Sequence, residues 1–478
     1  MQNIVQAVLE NSALMPDKTA IIVDDKKISY QELAEKILTF SGSLKMRAVK
    51  KGSRIAIESD DLISYFSAFL GCLLSGMTAV PVEKDISIYK LHDILKSTKP
   101  ALIFMKNNGE NYEDFFTGSP VPGKITCPKS GSIAAIIATT GTTGKPVQVA
   151  HTNKSLLAEA QNLSGGTNIT SQTVLFTNEP FDLAVGYRRV FATLYAGGTA
   201  VITHKPVTAE LLGNYIKKFD INAISIIHTN INMFLDIEDP DLKQTLGCLT
   251  AVETTVGPVA SIQIRSFCRQ YPSTALYNVY GTTESGCILV NCCSENPVER
   301  CLGKPTVHSE VFIVDENGDR VETPNQYGYI AVRGDMNMAG YYRKKALTEK
   351  VMHSDYIVIN DIGYFDNEGY FFFVSRVGDI INVDGHKISP GDIEQAVSGY
   401  DGIIDCACTA MEDHDNIQAP ILYVVCPDPD FDFDKLQNHL KQNLEYYKVP
   451  KKIIPIDKIP RTATGKIMRK SLSMPKKS

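Results

Sequence analysis

Residues 133–147 read IAAIIATTGTTGKPV, an apolar segment that runs straight into a loop of small hydroxyl residues, glycines and one lysine. Ile133 to Ala138 has the length and apolar continuity of a buried strand. Thr139, Thr140, Gly141, Thr142, Thr143, Gly144 and Lys145 then offer unhindered backbone N–H groups, hydroxyls and a cation, a set that suits a phosphate chain. The loop is not a Walker loop, which needs glycine where Thr139 stands and serine or threonine where Pro146 stands. Taken alone, the stretch also fits a plain Gly/Thr-rich turn.

Outward from this unit the chain alternates helical and strand patterns. ISYQELAEKILTFSGSL carries apolar residues at helical spacing, with Ser29 placed as a cap, and the strand-like Arg54 to Glu58 follows. A helix-like run from Leu62 to Leu74 leads through Gly76 into the apolar Thr78 to Val82, and the alternation continues through Glu210 to Ile227. That order predicts a parallel sheet with crossover helices, an α/β fold. From Val307 to Val332 short strands alternate with the turns Glu316-Asn317-Gly318-Asp319 and Gln326-Tyr327-Gly328, which predicts a β-rich subdomain. Further on, Ile393 to Val397 reads as helix, ILYVVCP as strand and Phe433 to Leu444 as an amphipathic helix, before a basic tail.

The 478 residues suffice for roughly two or three domains of about 150 residues each. A 44% hydrophobic and 21% charged composition excludes a disordered or fibrous chain, and the net charge of −6 argues against a nucleic-acid surface. No apolar run approaches the ~20 residues of a membrane span, and the amino terminus lacks the pattern of a secretory signal. The expectation is a cytoplasmic protein whose eleven cysteines stay reduced, with Cys292-Cys293 and Cys406-x-Cys408 as core or strand thiols rather than metal pairs.

Three further segments bear chemistry. Tyr277-Asn278-Val279-Tyr280-Gly281-Thr282-Thr283-Glu284 gathers an aromatic face, an amide, a glycine, hydroxyls and one carboxylate, groups able to stack on a base, hold a phosphate and ligate Mg²⁺. Asp361 in INDIGYFDNEGY can grip two ribose hydroxyls, and Arg376 in SRVGDIINVDG can assist there. Lys466 in PRTATGKIMRKSL puts one cation on a turn near the end, where charge develops in a transferring phosphate.

In this order the segments resemble the adenylate-forming superfamily of acyl-CoA synthetases, non-ribosomal peptide synthetase adenylation domains and luciferases, over nearly the whole chain. The resemblance implies an N-terminal domain, residues 1–378, of two mixed sheets packed with helices plus the β-rich subdomain, and a small mobile α+β lid, residues 379–478, that swivels about Asp379. It implies two half-reactions: a carboxylate attacks the α-phosphate of ATP, and a thiol then attacks the acyl-adenylate. By motif, Thr283 touches the α-phosphate, Glu284 holds Mg²⁺, Tyr280 and Asn278 meet the adenine, Asp361 and Arg376 the ribose, and Lys466 bridges the acyl oxygen and the phosphate. Gly281 and Thr282 join the loop of residues 139 to 145 around the nucleotide.

The acid and the acceptor are less determined. Phe181-Asp182 in EPFDLAVGYRRVFATLYAGGTAVI looks like the amino-acid-activating branch, in which the aspartate holds a substrate ammonium; alternatively Asp182 caps the following helix. INVDGHKISPGDIE and TGKIMR look more like free-standing acyl-CoA ligases. Departures are Val147 and Gln148 where the family places lysine and glycine, Ile359-Asn360 where it places threonine and glycine, and Thr255-Val256 in place of a glycine pair, which favours a small or unusual acid. The leading expectation is an acid–thiol ligase using ATP, Mg²⁺ and coenzyme A. The rivals are a stand-alone enzyme loading an amino or other acid onto the phosphopantetheine of an external acyl carrier protein, and a catalytically weak nucleotide-binding homologue with a regulatory role.

Overall fold

The computed structural model describes residues 3–106, 109–117, 128–139, 147–255, 261–383, 386–397, 399–412, 418–462 and 466–472. Local rules start the fold. Ser29 caps the helix Tyr30–Met46 in a full capping box with Glu32, as the sequence predicts. The helix Leu62–Ser75 is buried along its whole length and ends at Gly76 in the left-handed region, φ +73, which turns the chain into the strand Thr78–Val82.

Two large sheets form the body. In the six-stranded one, Leu102–Phe104, Arg54–Glu58, Thr78–Val82 and Ile133–Ala138 run parallel, and Gln148–Thr152 and Gly340–Tyr341 close it antiparallel. In the fifteen-stranded one, six central strands are parallel: Ala275–Thr282, Ala251–Thr255, Ala223–Ile227, Val174–Thr177, Thr199–Ile202 and Thr19–Val23. From the hairpin of Ala275–Thr282 with Gly286–Cys292 onward the sheet turns antiparallel and becomes the β-rich part, through Cys301–Pro305, Phe371–Arg376, Tyr356–Phe365, Gly328–Gly334 and Ser309–Val314. The sheets are therefore mixed, as the resemblance implies, with parallel pairing where crossover helices connect the strands. Leu62–Ser75, Tyr30–Met46 and Ala184–Tyr195 supply the aromatic and aliphatic core between the layers.

Beyond Arg376 no described strand joins either large sheet. Asp405–Glu412, Gln418–Val425 and Lys452–Pro455 form a separate three-stranded sheet, covered by the helices Pro390–Val397 and Phe433–Asn443. Ile381, Ile393, Leu422, Leu436 and Leu440 give this α+β unit its own core.

Candidate active site

The hairpin of Ala275–Thr282 with Gly286–Cys292 shapes one wall of the site. At its end the register shifts between Tyr280 and Gly281, and a β-carbon on Gly281 would stand 1.9 Å from the Gly286 carbonyl oxygen, so only glycine fits. Across the intervening strand Cys301–Pro305, Asp361 and Arg376 are direct cross-strand partners on Tyr356–Phe365 and Phe371–Arg376, with Arg376 Nε 3.4 Å from Asp361 Oδ1. The Tyr280 hydroxyl donates to Asp361 Oδ2 at 2.7 Å; burial and that carboxylate hold the phenol well above its usual range. Asn278, Tyr280, Thr282, Asp361, Arg376 and Lys466 thus line one cavity of about 870 Å³, which reaches down to Asp379.

A second cavity, of about 90 Å³, lies behind the hairpin end, against Leu163, Val185, Arg188, Arg189, Thr255 and Thr283. Val279, Gly281, Thr282 and Lys466 belong to the walls of both. Lys466 therefore stands where the cavities meet. Burial and the nearby Arg376 charge lower its ammonium to about 8, against the opposite pull of Asp361 and Glu284.

Glu284 sits at the hairpin tip, where the Tyr341 hydroxyl donates to its Oε1 at 2.9 Å. Among the described residues no cluster of three or more His, Cys, Asp or Glu side chains forms a protein cage for a metal. One carboxylate is the donor set that suits Mg²⁺ when phosphate oxygens and water complete its octahedron, so Glu284 fits that ion.

Buried charges hold this wall from behind, and sequence reading missed them. Arg188 donates through Nε and Nη2 to both oxygens of Glu159, at 2.7 and 3.2 Å, and through Nη1 and Nη2 to the carbonyls of Thr282 and Thr283, at 3.0 and 3.2 Å. His151, fully buried and held neutral by burial, lies 3.2 Å from the same Glu159. The next residue, Arg189, donates through Nε to Ser225 Oγ at 2.9 Å, beside Glu179 and Glu253, both raised by burial. The available signal was an Arg-Arg pair inside the otherwise apolar helix AVGYRRVFATLY, because charged residues are almost never buried unless paired.

Other candidates fall elsewhere. Thr140, Gly141, Thr142, Thr143, Gly144, Lys145 and Val256 lie outside the described residues. Thr139 closes the base of its loop, its N–H donating to the Val147 carbonyl and its hydroxyl accepting from the Val147 N–H. Gln148 donates to Ser97 Oγ at 2.8 Å. Phe181 is a core residue packed edge-on against Phe66, at 1% exposure, and lines neither cavity. Asp182 also lines neither, and it caps nothing: the N-cap of Ala184–Tyr195 is Leu183, with no side-chain bond. Burial and the Glu83 carboxylate instead push Asp182 up to about 6. Thr255 does line the smaller cavity, with its hydroxyl donating to the Val279 carbonyl at 3.4 Å. Asp379 accepts from Arg469 Nε at 3.3 Å.

The family profile described as AMP-binding enzyme matches residues 9–342, and the one described as AMP-binding enzyme C-terminal domain matches residues 392–466. The chain belongs to the AMP-binding enzyme family. A 2-succinylbenzoate–CoA ligase of Bacillus subtilis (strain 168) is 24% identical to this AMP-binding enzyme, over 97% of this chain and 96% of the relative. Bacitracin synthase 3 of Bacillus licheniformis is 25% identical over 96% of this chain, which corresponds to 8% of that protein. The crystal structure of ATP-bound MatB from Rhodopseudomonas palustris superposes with a TM-score of 0.90 at 20% identity, over 98% of this chain and 97% of that one.

Proposed function

We propose that this AMP-binding enzyme activates a small carboxylic acid with ATP and transfers the acyl group to the thiol of coenzyme A. The observation that carries the reading is the position of Lys466 in the walls of both cavities. In this assignment the larger cavity takes the nucleotide, with Asn278 and Tyr280 at the adenine, Asp361 and Arg376 at the ribose, and Thr282 and Thr283 at the α-phosphate. The smaller cavity takes the acyl chain, and its size fits a short acid. A bound Mg²⁺ would neutralise phosphate charge beside Glu284.

Attack of a carboxylate on ATP brings an anion against a polyanion, and the chain's own residues offset that repulsion. The Lys466 ammonium faces both the acyl oxygen and the α-phosphate, and partners them as pyrophosphate leaves. The acyl-adenylate then meets the thiol after the lid, residues 379–478, turns on Asp379 relative to the body, residues 1–378, and withdraws Lys466. A carrier-protein phosphopantetheine is the alternative acceptor, supported by the resemblance to peptide-synthetase adenylation domains.

The test is ATP–pyrophosphate exchange over acetate, butyrate, succinate, benzoate and the common amino acids, followed by coenzyme A as acceptor for the fastest. Exchange with a short acid and formation of its CoA thioester are expected. Exchange led by amino acids moves the acceptor to a carrier, and exchange with no acid leaves only a nucleotide-binding role.

A further inference from the structure

Lys466 lines both cavities with the C-terminal unit seated on the body, and among the described residues a charged contact crosses that seam. Arg300 of the body donates through Nη1 to Asp392 Oδ1 of the lid helix Pro390–Val397 at 2.8 Å. The two side chains are 17% and 29% exposed, so the pair is partly screened by solvent. Asp392 also has a partner inside the lid, Lys448, whose Nζ lies 3.3 Å from Asp392 Oδ2. Ser389 adds an uncharged seam bond, its hydroxyl donating to the Val374 carbonyl at 2.8 Å. Two backbone features make room for the ion pair. Arg300 adopts φ +57, uncommon for a residue with a side chain. A β-carbon on Gly391 would stand 2.8 Å from Arg300 Nη2, so glycine there leaves space for the guanidinium.

The asymmetry of partners is the informative feature. If the lid turns away, Asp392 keeps Lys448, whereas Arg300 returns to solvent. Breaking the pair therefore strands no buried charge, unlike the loss of one partner from a fully buried pair. A contact of this kind biases a pose without locking it, and the bias is confined to the pose that presents Lys466.

We propose that Arg300 is a positioning residue, which through Asp392 selects the lid pose used for adenylate formation and is released for the thiol step. The inference rests on the two-step reading above. Because a partly exposed pair shifts a two-state population only modestly, Arg300→Gln should slow ATP–pyrophosphate exchange by about twofold to fivefold. It should leave unchanged, or speed, thioester formation from coenzyme A and supplied acyl-adenylate. Arg300→Lys should restore most of the exchange, and added salt should slow exchange in the natural enzyme more than in Arg300→Gln.

The experiment measures both half-reactions and thermal melting in the three proteins, using whichever of acetate, butyrate, succinate and benzoate exchanges fastest and its adenylate. Loss of exchange alone, restored by lysine, is the expected result. Unchanged exchange in Arg300→Gln overturns the proposal, as does an equal fall of both half-reactions with a lowered melting temperature, the mark of a merely structural pair. Exchange with no acid in the natural enzyme overturns the two-step reading itself, and this inference with it.

Discussion

The two cavities that meet at Lys466 are walled by different physics. The larger one is framed by side chains on adjoining strands and turns: Asn278, Tyr280 and Thr282 from one strand, and Asp361 opposite Arg376 from a cross-strand pair. The smaller one is backed by charges folded into the interior from four distant segments: Glu159 beside the neutral His151, Glu179, Arg188 and Arg189, and Glu253. A strand-borne wall tolerates change locally, since its groups face a cavity. A buried ionic wall does not, because removing one partner leaves another uncompensated in a medium that solvates it poorly.

The sharpest way to break that contrast is Arg188→Met. It leaves Glu159 with only the neutral His151 beside it and takes a donor from two carbonyls, and urea unfolding should show about 3–5 kcal/mol lost. The double variant Arg188→Met/Glu159→Leu should recover much of that, because no unpaired charge remains. A loss below about 1 kcal/mol in the single variant would mean that the interior wall is no stiffer than the strand-borne one.

Asp361→Ala acts on the other wall. It removes acceptors that now serve Tyr280 and Arg376 and, in the proposed complex, the ribose. The KM for ATP should rise about tenfold to a hundredfold, with little change in the KM for the acid. An equal rise for acid and ATP would blur the division between the cavities.

Acidity separates the half-reactions. With Lys466 lowered to about 8, raising pH through that value discharges the ammonium, so adenylate formation in the free enzyme should fall on the alkaline side. Thioester formation from supplied acyl-adenylate should lack that limb. The smallest effect is expected from Val147→Lys, which returns a cation beside the loop of residues 139 to 145. Exchange should rise by at most about tenfold, the value of one contact of ~1.4 kcal/mol.

What was legible in the sequence follows the same divide. The capping box at Ser29 and the strand Ile133–Ala138 obey short-range rules, so pattern and spacing located them. The residues Asn278, Tyr280, Asp361, Arg376 and Lys466 were likewise readable as chemistry, because each stands in a motif of a few residues. Asp182 defeated local reading: it precedes a helix, yet Leu183 occupies the cap, and its carboxyl lies under the influence of Glu83. Glu159 and Glu253 were invisible because a charged residue reads as a surface residue until the fold buries it. The seam pair Arg300 and Asp392, 92 residues apart, likewise has no local signature.

The most direct test of the account is Lys466→Ala measured in both half-reactions. Loss of ATP–pyrophosphate exchange to background, with thioester formation from supplied acyl-adenylate kept within about twofold, is the predicted result. Normal exchange in that variant would contradict it.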